Sequence, residues 1–316
     1  MQLDLHIGAH KTGTSWLQQV FQGNQAALLS NGIKIPHHRK TRKFVTVPCQ
    51  LKAYQRLGQD WNTKYTDQEL QTIIDSYILS LRGSGARRVV LSDENMLGHC
   101  GHIVRGGMLY SRKQAFLGVL AEFLPRPPRR IFISVRDYSA FFSAVYGQFL
   151  LDVLPENYVS AGAFTETVLG KYPNWANVLR KVAETFPKSE IVYWTYEDAK
   201  DDWRPVLTAI GGRKLARAPK TKRGDVVRPS MTQSTYDRFI ALASELGTTT
   251  ALKKMKHLRE TDPDSGAGSL RIFSSKEQET LQDRYARHVA QIADIPNTTR
   301  LSWDAPAKAT PKQRAS

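Results

Sequence analysis

Short apolar runs alternate along this chain with segments whose apolar residues recur at helical spacing. The runs have the length and composition of buried strands, which read as near-continuous hydrophobic stretches in parallel sheets. They extend from Leu3 to Ile7, from Arg88 to Leu91, from Arg130 to Val135 and from Glu190 to Thr195. Strands that alternate with helices predict an α/β fold, with three α/β/α layers around a central, mostly parallel sheet.

The segments after the first and third runs each show one apolar helical face. The first face comprises Leu17, Val20, Phe21 and Leu28, and the second comprises Tyr138, Phe141, Phe142, Val145 and Phe149. In sheets of this kind, ligands bind beyond the carboxyl ends of the strands. The residues that directly follow each strand are therefore the ones to inspect for function.

The C-terminal third has a different pattern. Two helices are predicted there, from Ser230 to Leu246 and from Ser275 to Ile292. We interpret residues 1–304 as one α/β domain in which residues 230–300 form a helical extension. Residues 305–316 are rich in Ala, Lys, Pro and Thr, and we predict a disordered basic tail.

The charge of the chain points to anionic partners. Its 316 residues include 45 Lys and Arg against 29 Asp and Glu, a formal net charge of +16. Such a field attracts nucleic acid, anionic membranes, nucleotides or acidic glycans. Zinc-finger, RNP1 and basic-zipper motifs are missing from the sequence, so a nucleic-acid-binding protein is only a distant alternative.

Other classes are disfavoured by the composition. No apolar run approaches the ~20 residues that a membrane span needs, and no basic and apolar leader follows Met1. We therefore expect a cytoplasmic protein. Cys49 and Cys100 are too few for a disulfide scaffold and lack C-x-x-C spacing, so we interpret both as buried thiols and predict no metal site.

A glycine-bearing loop follows the first predicted strand. It runs from Gly8 to Ser15, and a helix is expected to open at Trp16. A strand, a glycine turn and a helix N-terminus direct free backbone N–H groups and the positive end of the helix dipole at one point. The segment is therefore P-loop-like and is predicted to bind phosphate or sulfate.

This loop differs from a Walker A motif at one position. Gly8 and Gly13 have the G-x-x-x-x-G spacing, but Thr14 stands where the motif requires lysine, and the lysine comes earlier, at Lys11. A kinase or NTPase needs that lysine on the β- and γ-phosphates. A P-loop kinase or NTPase is thus the second interpretation. The first is an enzyme whose donor has no γ-phosphate.

The sequence Lys-Thr-Gly-Thr-Ser-Trp-Leu-Gln from Lys11 resembles the 5′-phosphosulfate-binding loop of sulfotransferases, bacterial members in particular, with His10 in place of their usual proline. The resemblance implies transfer of a sulfuryl group from 3′-phosphoadenosine-5′-phosphosulfate to a hydroxyl or amine acceptor. Carbohydrates are among the candidate acceptors, and the nucleotide product is adenosine 3′,5′-bisphosphate. Lys11 is implied to be catalytic, and the implied donor-binding residues of the loop are Lys11, Thr12, Gly13, Thr14 and Ser15.

A second anion site is predicted after the third strand. Arg136 ends that strand, Asp137 is a suitable helix N-cap, and Ser143 follows about two helical turns later. A guanidinium binds phosphate in a fork and a hydroxyl adds a donor, so Arg136 and Ser143 can converge on one phosphate. Sulfotransferases hold the donor's 3′-phosphate with such a pair, and the resemblance implies that role here.

Two further segments resemble the family. The sequence Tyr-Glu-Asp from Tyr196 is similar to a segment whose tyrosine lies near the adenine, and core packing of Tyr196 is the alternative. The segment from Lys222 to Asp225 is a candidate for the basic loop that closes over the nucleotide in relatives. A solvated turn is the favoured interpretation of that segment.

The second strand is followed by candidates for the general base. In many relatives the base is a glutamate at the end of this strand or a nearby histidine, which makes Glu94 the first choice. His99 and His102 come next because histidine titrates near neutral pH, and Asp93 is a further possible base. The same segment could form a Walker B strand whose acid holds Mg²⁺, which is the basis of the kinase alternative.

The acceptor is not identified by any motif. Residues 37–43 are strongly basic and could face an anionic acceptor such as an acidic glycan. Charge runs of this kind are more often solvated, so a solvated loop is the favoured interpretation.

Overall fold

The computed structural model describes the greater part of the chain, namely residues 1–59, 63–83, 85–217, 231–262 and 268–303. The predicted tail at 305–316 and the candidate loop from Lys222 to Asp225 lie outside the described residues. Within the described ranges, no helix combines the length and the apolar character that crossing a lipid bilayer requires.

The described strands form one six-stranded sheet, and all its neighbouring strands pair in parallel. The strands are β1 (Gln2–His6), β2 (Ile33–Lys34), β3 (Arg88–Ser92), β4 (Arg130–Val135), β5 (Glu190–Thr195) and β6 (Thr298–Arg300). Their order across the sheet is β2-β3-β1-β4-β5-β6. The predicted α/β class and the four predicted strands are confirmed, whereas the edge strands β2 and β6 are too short to show a periodic pattern.

Helices cover both faces of the sheet. Strand residues alternate between the faces, so that Leu5 and Ile133 join a larger core while Phe132 and Trp194 join a smaller one. The helices are α1 (Thr14–Gly23), α2 (Gln25–Ser30), α3 (His38–Thr41), α4 (Val47–Arg56), α5 (Asp67–Arg82), α6 (Cys100–Gly106), α7 (Lys113–Phe123), α8 (Tyr138–Asp152), α9 (Ala161–Lys171), α10 (Trp175–Thr185), α11 (Tyr196–Asp201), α12 (Arg204–Gly211), α13 (Arg213–Arg217), α14 (Gln233–Leu246), α15 (Thr248–Glu260) and α16 (Ser275–Ile292). Buried residues of α1, α2, α12 and α13 line the smaller core, and most other helices line the larger one. The three predicted layers are therefore present.

Two helical predictions need correction. The apolar face from Leu17 to Leu28 belongs to two helices, because the chain turns at Asn24 between α1 and α2. In the C-terminal part the two predicted helices correspond to α14 and α16, but α15 lies between them. Its apolar signal was readable, since Ala251, Met255 and Leu258 follow at i, i+4 and i+7 and are buried. All three helices contribute to the larger core.

His6 ends β1 in the middle of the sheet with none of its side chain exposed. Its Nδ1 lies 2.8 Å from Ser92 Oγ, and its ring stacks on Trp194 with 6.1 Å between centroids. Burial lowers the pKa of His6 to about 4, since a charged imidazole is poorly solvated there. The folded protein therefore holds this histidine in its neutral form.

We expect the free energy of unfolding to fall as the pH decreases from about 8 to about 5. The unfolded imidazole binds protons with a pKa near 6.5, whereas the folded pKa is about 4. The stability that neutral His6 provides is thus fully present above pH 6.5 and is lost progressively as the pH falls towards 4. The loss amounts to about 2 kcal/mol at pH 5. Urea denaturation at several pH values measures the free energy of unfolding and its pH dependence. A His6→Asn variant should show a weaker pH dependence, and an unchanged dependence would contradict the assignment.

Candidate active site

The predicted site residues lie at one edge of the sheet. Because β1, β3, β4 and β5 are parallel, their carboxyl ends point the same way. The glycine loop follows β1, Glu94 follows β3, Arg136 follows β4 and Tyr196 follows β5. The topology therefore gathers segments that are separated by up to nearly two hundred positions in the sequence.

The loop after β1 has a tightly constrained backbone. Gly8 and Gly13 adopt positive φ angles of 46° and 84°. A Cβ on Gly8 would lie 2.7 Å from Thr14 Oγ1, and one on Gly13 would lie 2.5 Å from the Trp203 ring. Lys11 also has a positive φ, 61°, a conformation that costs a residue with a Cβ about 1–3 kcal/mol. Such strain persists only where surrounding contacts hold it.

The hydroxyl groups of the loop divide into two kinds. Thr12 and Thr14 are buried, and their hydroxyls donate to the carbonyl oxygen of Ala9 at 2.7 and 3.2 Å. Ser15 is exposed. The α1 helix begins at Thr14 with Gly13 as its N-cap, two residues earlier than predicted, and the N–H groups of its first turn have no intrahelical partner. Those amides and Ser15 are available to an anion, whereas Thr12 and Thr14 stabilise the loop.

Arg136 joins the first loop to the second predicted anion site. Its Nη1 donates to the carbonyl oxygen of Lys11 at 2.5 Å. Its guanidinium carbon lies 4.6 Å from the centre of the Tyr196 ring, and its Nε is buried without a partner among the described residues. A guanidinium donor left without an acceptor in a buried position is costly. Arg136 is therefore poised to bind an additional anion.

A cavity of about 400 Å³ opens beside Arg136. Ser143 lines it from α8 and is 3% exposed; its oxygen accepts from the Ile272 N–H at 3.3 Å. The predicted cap is confirmed, since the Asp137 side chain accepts from the Ala140 N–H at the start of α8. The structure thus brings Arg136 and Ser143 to one cavity. Arg271 also lines it, and sequence reasoning missed this residue because no motif marks its segment.

An aromatic wall, formed by Tyr196, Trp203 and Trp16, lies against the glycine loop. The Tyr196 and Trp203 rings are 6.3 Å apart, and the Trp203 and Trp16 rings are 5.2 Å apart. Trp203 also covers Gly13. Tyr196 is half-buried, so it packs against the core and still presents part of its ring. Aromatic faces of this kind suit a purine, and the two tryptophans were not predicted as part of the site.

Glu94 is held by two donors. Arg42 Nη2 lies 3.1 Å from Glu94 Oε1, and Gln18 Nε2 donates to Oε2 at 3.0 Å. Burial raises the pKa of Glu94, but neighbouring positive charge and these hydrogen bonds outweigh burial and bring the pKa below its usual 4.5. Glu94 is therefore ionised at neutral pH. Asp93 has no exposed surface and binds the same guanidinium at 2.7 Å, so it cannot reach a substrate.

Residues 37–43 are only partly the solvated loop that was predicted, since Arg39, Lys40 and Lys43 are exposed but the segment is helical and Arg42 is paired. The segment forms α3 and the start of a π-helical turn over Arg42–Thr46. Thr41 is buried, and the Arg42 side chain, 32% exposed, binds both carboxylates after β3. The charge run gave no sign of the Arg42 ion pairs because the acidic partners, Asp93 and Glu94, lie about fifty positions away in the sequence.

The two histidine candidates lie in a neutral cluster. His99 is the N-cap residue of α6, and its ring is 5.5 Å from that of His102. His102 Nε2 in turn lies 3.4 Å from Tyr54 Oη. Burial, and then nearby positive charge, lowers the pKa of both histidines to about 4. Both are therefore neutral acceptors at physiological pH. In the described part of the chain, no group of three or more potential ligands could hold a metal ion.

An Arg42→Met variant should be destabilised by about 3 kcal/mol. It leaves the fully buried Asp93 carboxylate without its cation, and breaking a buried ion pair costs about 3–5 kcal/mol. The lower end is expected because Arg42 is partly exposed. Urea denaturation measures the change, with Arg39→Met, an exposed arginine in the preceding turn, as the matched control. Equal stability of the two variants would contradict the role of this ion pair.

No protein-family model matches this chain, and no curated protein sequence matches it significantly. The chain is similar to the crystal structure of a sulfotransferase from Alicyclobacillus acidocaldarius, at 16% sequence identity and a TM-score of 0.39, with 80% of this chain and 95% of the other covered.

Proposed function

We propose that this chain is a sulfotransferase that moves a sulfuryl group from 3′-phosphoadenosine-5′-phosphosulfate to a hydroxyl or amine acceptor. The observation that carries the proposal is the closeness of two anion-binding elements. Arg136, on the rim of the cavity with Ser143, donates to the carbonyl oxygen of Lys11 at 2.5 Å. One nucleotide with phosphates at both its 5′ and 3′ positions suits such an arrangement.

The proposed binding mode assigns each end of the donor to one element. The 5′-phosphosulfate lies at the glycine loop, where Lys11, Ser15 and the amides of the first turn of α1 meet its negative charge. The 3′-phosphate lies in the cavity beside Arg136 and Ser143, in reach of a charge-assisted fork. The adenine lies against the aromatic wall at Tyr196.

The proposed reaction is an in-line displacement at sulfur. The acceptor oxygen or nitrogen forms a bond to sulfur while the bond from sulfur to the bridging oxygen breaks, and the electron pair stays on the phosphate of adenosine 3′,5′-bisphosphate. Lys11 neutralises the charge that builds on that leaving oxygen. Glu94 takes the proton of the acceptor, a step that typically contributes about 10²–10⁴-fold. Holding both reactants in line supplies the remainder.

The P-loop kinase alternative fits these residues less well. Thr14, at the position where a Walker A motif has lysine, is buried and donates to Ala9. Asp93, the acid that would hold Mg²⁺, has no exposed surface and is bound by Arg42. A buried carboxylate that already neutralises a guanidinium has little capacity for a hydrated divalent cation.

A thermal-shift comparison of two nucleotides tests the proposal. A ligand that binds only the folded state, at about 100 times its Kd, adds about 2.7 kcal/mol, which corresponds to an upward shift of roughly 5 °C for a chain of this size. We expect adenosine 3′,5′-bisphosphate to give this shift and ATP with Mg²⁺ to give little. The reverse result would favour the kinase alternative and end the sulfotransferase proposal.

A further inference from the structure

Two residues with strained backbones, Lys11 and Tyr110, flank His10 of the glycine loop, the first in sequence and the second in space. Among the described residues, four residues other than glycine have positive φ angles, and Lys11 at 61° and Tyr110 at 50° are two of them. The residue between them in space is His10, whose N–H donates to Tyr110 Oη at 2.9 Å. Strain of this kind clusters where a functional group must be held in one position.

The peptide unit that joins Ala9 to His10 is held from both sides. Its carbonyl oxygen accepts from the Thr12 hydroxyl at 2.7 Å, and its N–H donates to Tyr110 Oη. The peptide that joins Lys11 to Thr12 is held by Arg136, which donates to the Lys11 carbonyl oxygen. The two residues His10 and Lys11 therefore lie between two fixed peptide planes, which restrict the backbone of Lys11 in its left-handed conformation.

Tyr110 is itself firmly placed. It is 1% exposed and packs against Gly98 and Trp175. Its hydroxyl also lies 3.1 Å from His10 Nδ1, so it contacts both the backbone and the ring of that residue. Burial raises the pKa of Tyr110 well above 10, which keeps the group a neutral hydroxyl throughout the physiological pH range.

We propose that Tyr110 is a positioning residue whose hydroxyl fixes the Ala9–His10 peptide and thereby aims the Lys11 ammonium at the donor's 5′ group. This inference rests on the proposed function, because it assigns Lys11 to that end of the nucleotide. Tyr110 does not touch the donor in this scheme. Its effect passes through the backbone of the loop to Lys11.

The experiment compares two nucleotides that differ only in the group Lys11 is proposed to bind. Calorimetric titrations with adenosine 3′,5′-bisphosphate and with adenosine 3′-monophosphate are made on wild type and Tyr110→Phe. The variant should weaken bisphosphate binding about fivefold to tenfold, the value of one hydrogen bond, and leave monophosphate binding within about twofold. Tyr146→Phe is the matched control, since its buried hydroxyl bonds instead to the Val159 carbonyl oxygen at 3.0 Å.

A double-mutant cycle separates positioning from general damage. If Tyr110 acts through Lys11, adding Tyr110→Phe to Lys11→Met should weaken bisphosphate binding no further. Additive losses, equal losses for both nucleotides, or wild-type affinity in Tyr110→Phe would each overturn the inference. Thr12→Val removes the shorter of the two hydroxyl contacts to the carbonyl oxygen of the same peptide. It should reproduce the selective loss, which keeps the test decisive should Tyr110→Phe fail to fold.

The failure of the proposed function would look different. In that case wild type would bind the bisphosphate no more tightly than the monophosphate, and the role of Tyr110 would fall with it. If wild type prefers the bisphosphate and Tyr110→Phe keeps the full preference, the proposed function stands and only the inference about Tyr110 is wrong.

Discussion

A Lys11→Ala variant should lose about 10²- to 10³-fold of its sulfuryl-transfer rate, the usual cost of removing one preorganised group that stabilises developing negative charge. The fold should be retained, because alanine and lysine both carry a Cβ and meet the same strain at a φ of 61°. No apolar core is lost, since Lys11 is not part of either hydrophobic core. Release of adenosine 3′,5′-bisphosphate from the phosphosulfate donor measures the rate, and melting temperature checks the fold.

The matched control for this prediction is Lys188→Ala. Lys188 is exposed and lies two residues before β5, which begins at Glu190, so it is located at the amino ends of the strands, opposite the candidate site. Lys188→Ala removes one positive charge, as Lys11→Ala does, so the net charge of the protein falls equally in both variants. Only Lys11→Ala should lose activity. Full activity of Lys11→Ala would remove the central assignment of the proposed function.

The central sheet could be predicted from the sequence because burial on both faces leaves a near-continuous apolar run. Each residue of β4 from Ile131 to Val135 is buried, and such a run is visible without any tertiary information. The strands β2 and β6, with two and three residues, are formed by pairing with β3 and β5 rather than by local preference. Their existence depends on tertiary contacts that no short pattern encodes.

The candidate site was predictable where it follows a strand directly or, as for Ser143, lies at helical spacing from a residue that does. Lys11, Glu94 and Arg136 follow strands of a parallel sheet, so topology alone brings them to one edge. Arg42 and Arg271 reach the site from a π-helical turn and from an irregular segment. Their approach depends on how distant parts of the chain pack, and their local sequences give no sign of it.

A Glu94→Gln variant should reduce turnover by about 10²- to 10⁴-fold, the range that a general base contributes. Glutamine has the same shape and can still accept from Arg42 or Gln18 through its one oxygen, but it cannot take a proton from the acceptor. Binding of adenosine 3′,5′-bisphosphate should change by less than about twofold, since Glu94 is assigned to the acceptor and not to the donor's phosphates. Steady-state kinetics and calorimetry separate the two quantities.

His99→Gln is the variant that makes this prediction discriminating. Neighbouring charge and hydrogen bonds hold the pKa of Glu94 below 4.5, and burial lowers the pKa of His99 to about 4. Either base would be unprotonated at neutral pH, so the rate should stay level down to about pH 5 and fall only as the base binds its proton below that. A pH profile therefore cannot tell the two apart, whereas the variants can. Loss of turnover in Glu94→Gln with near-normal turnover in His99→Gln assigns the base to Glu94, and the opposite result assigns it to His99.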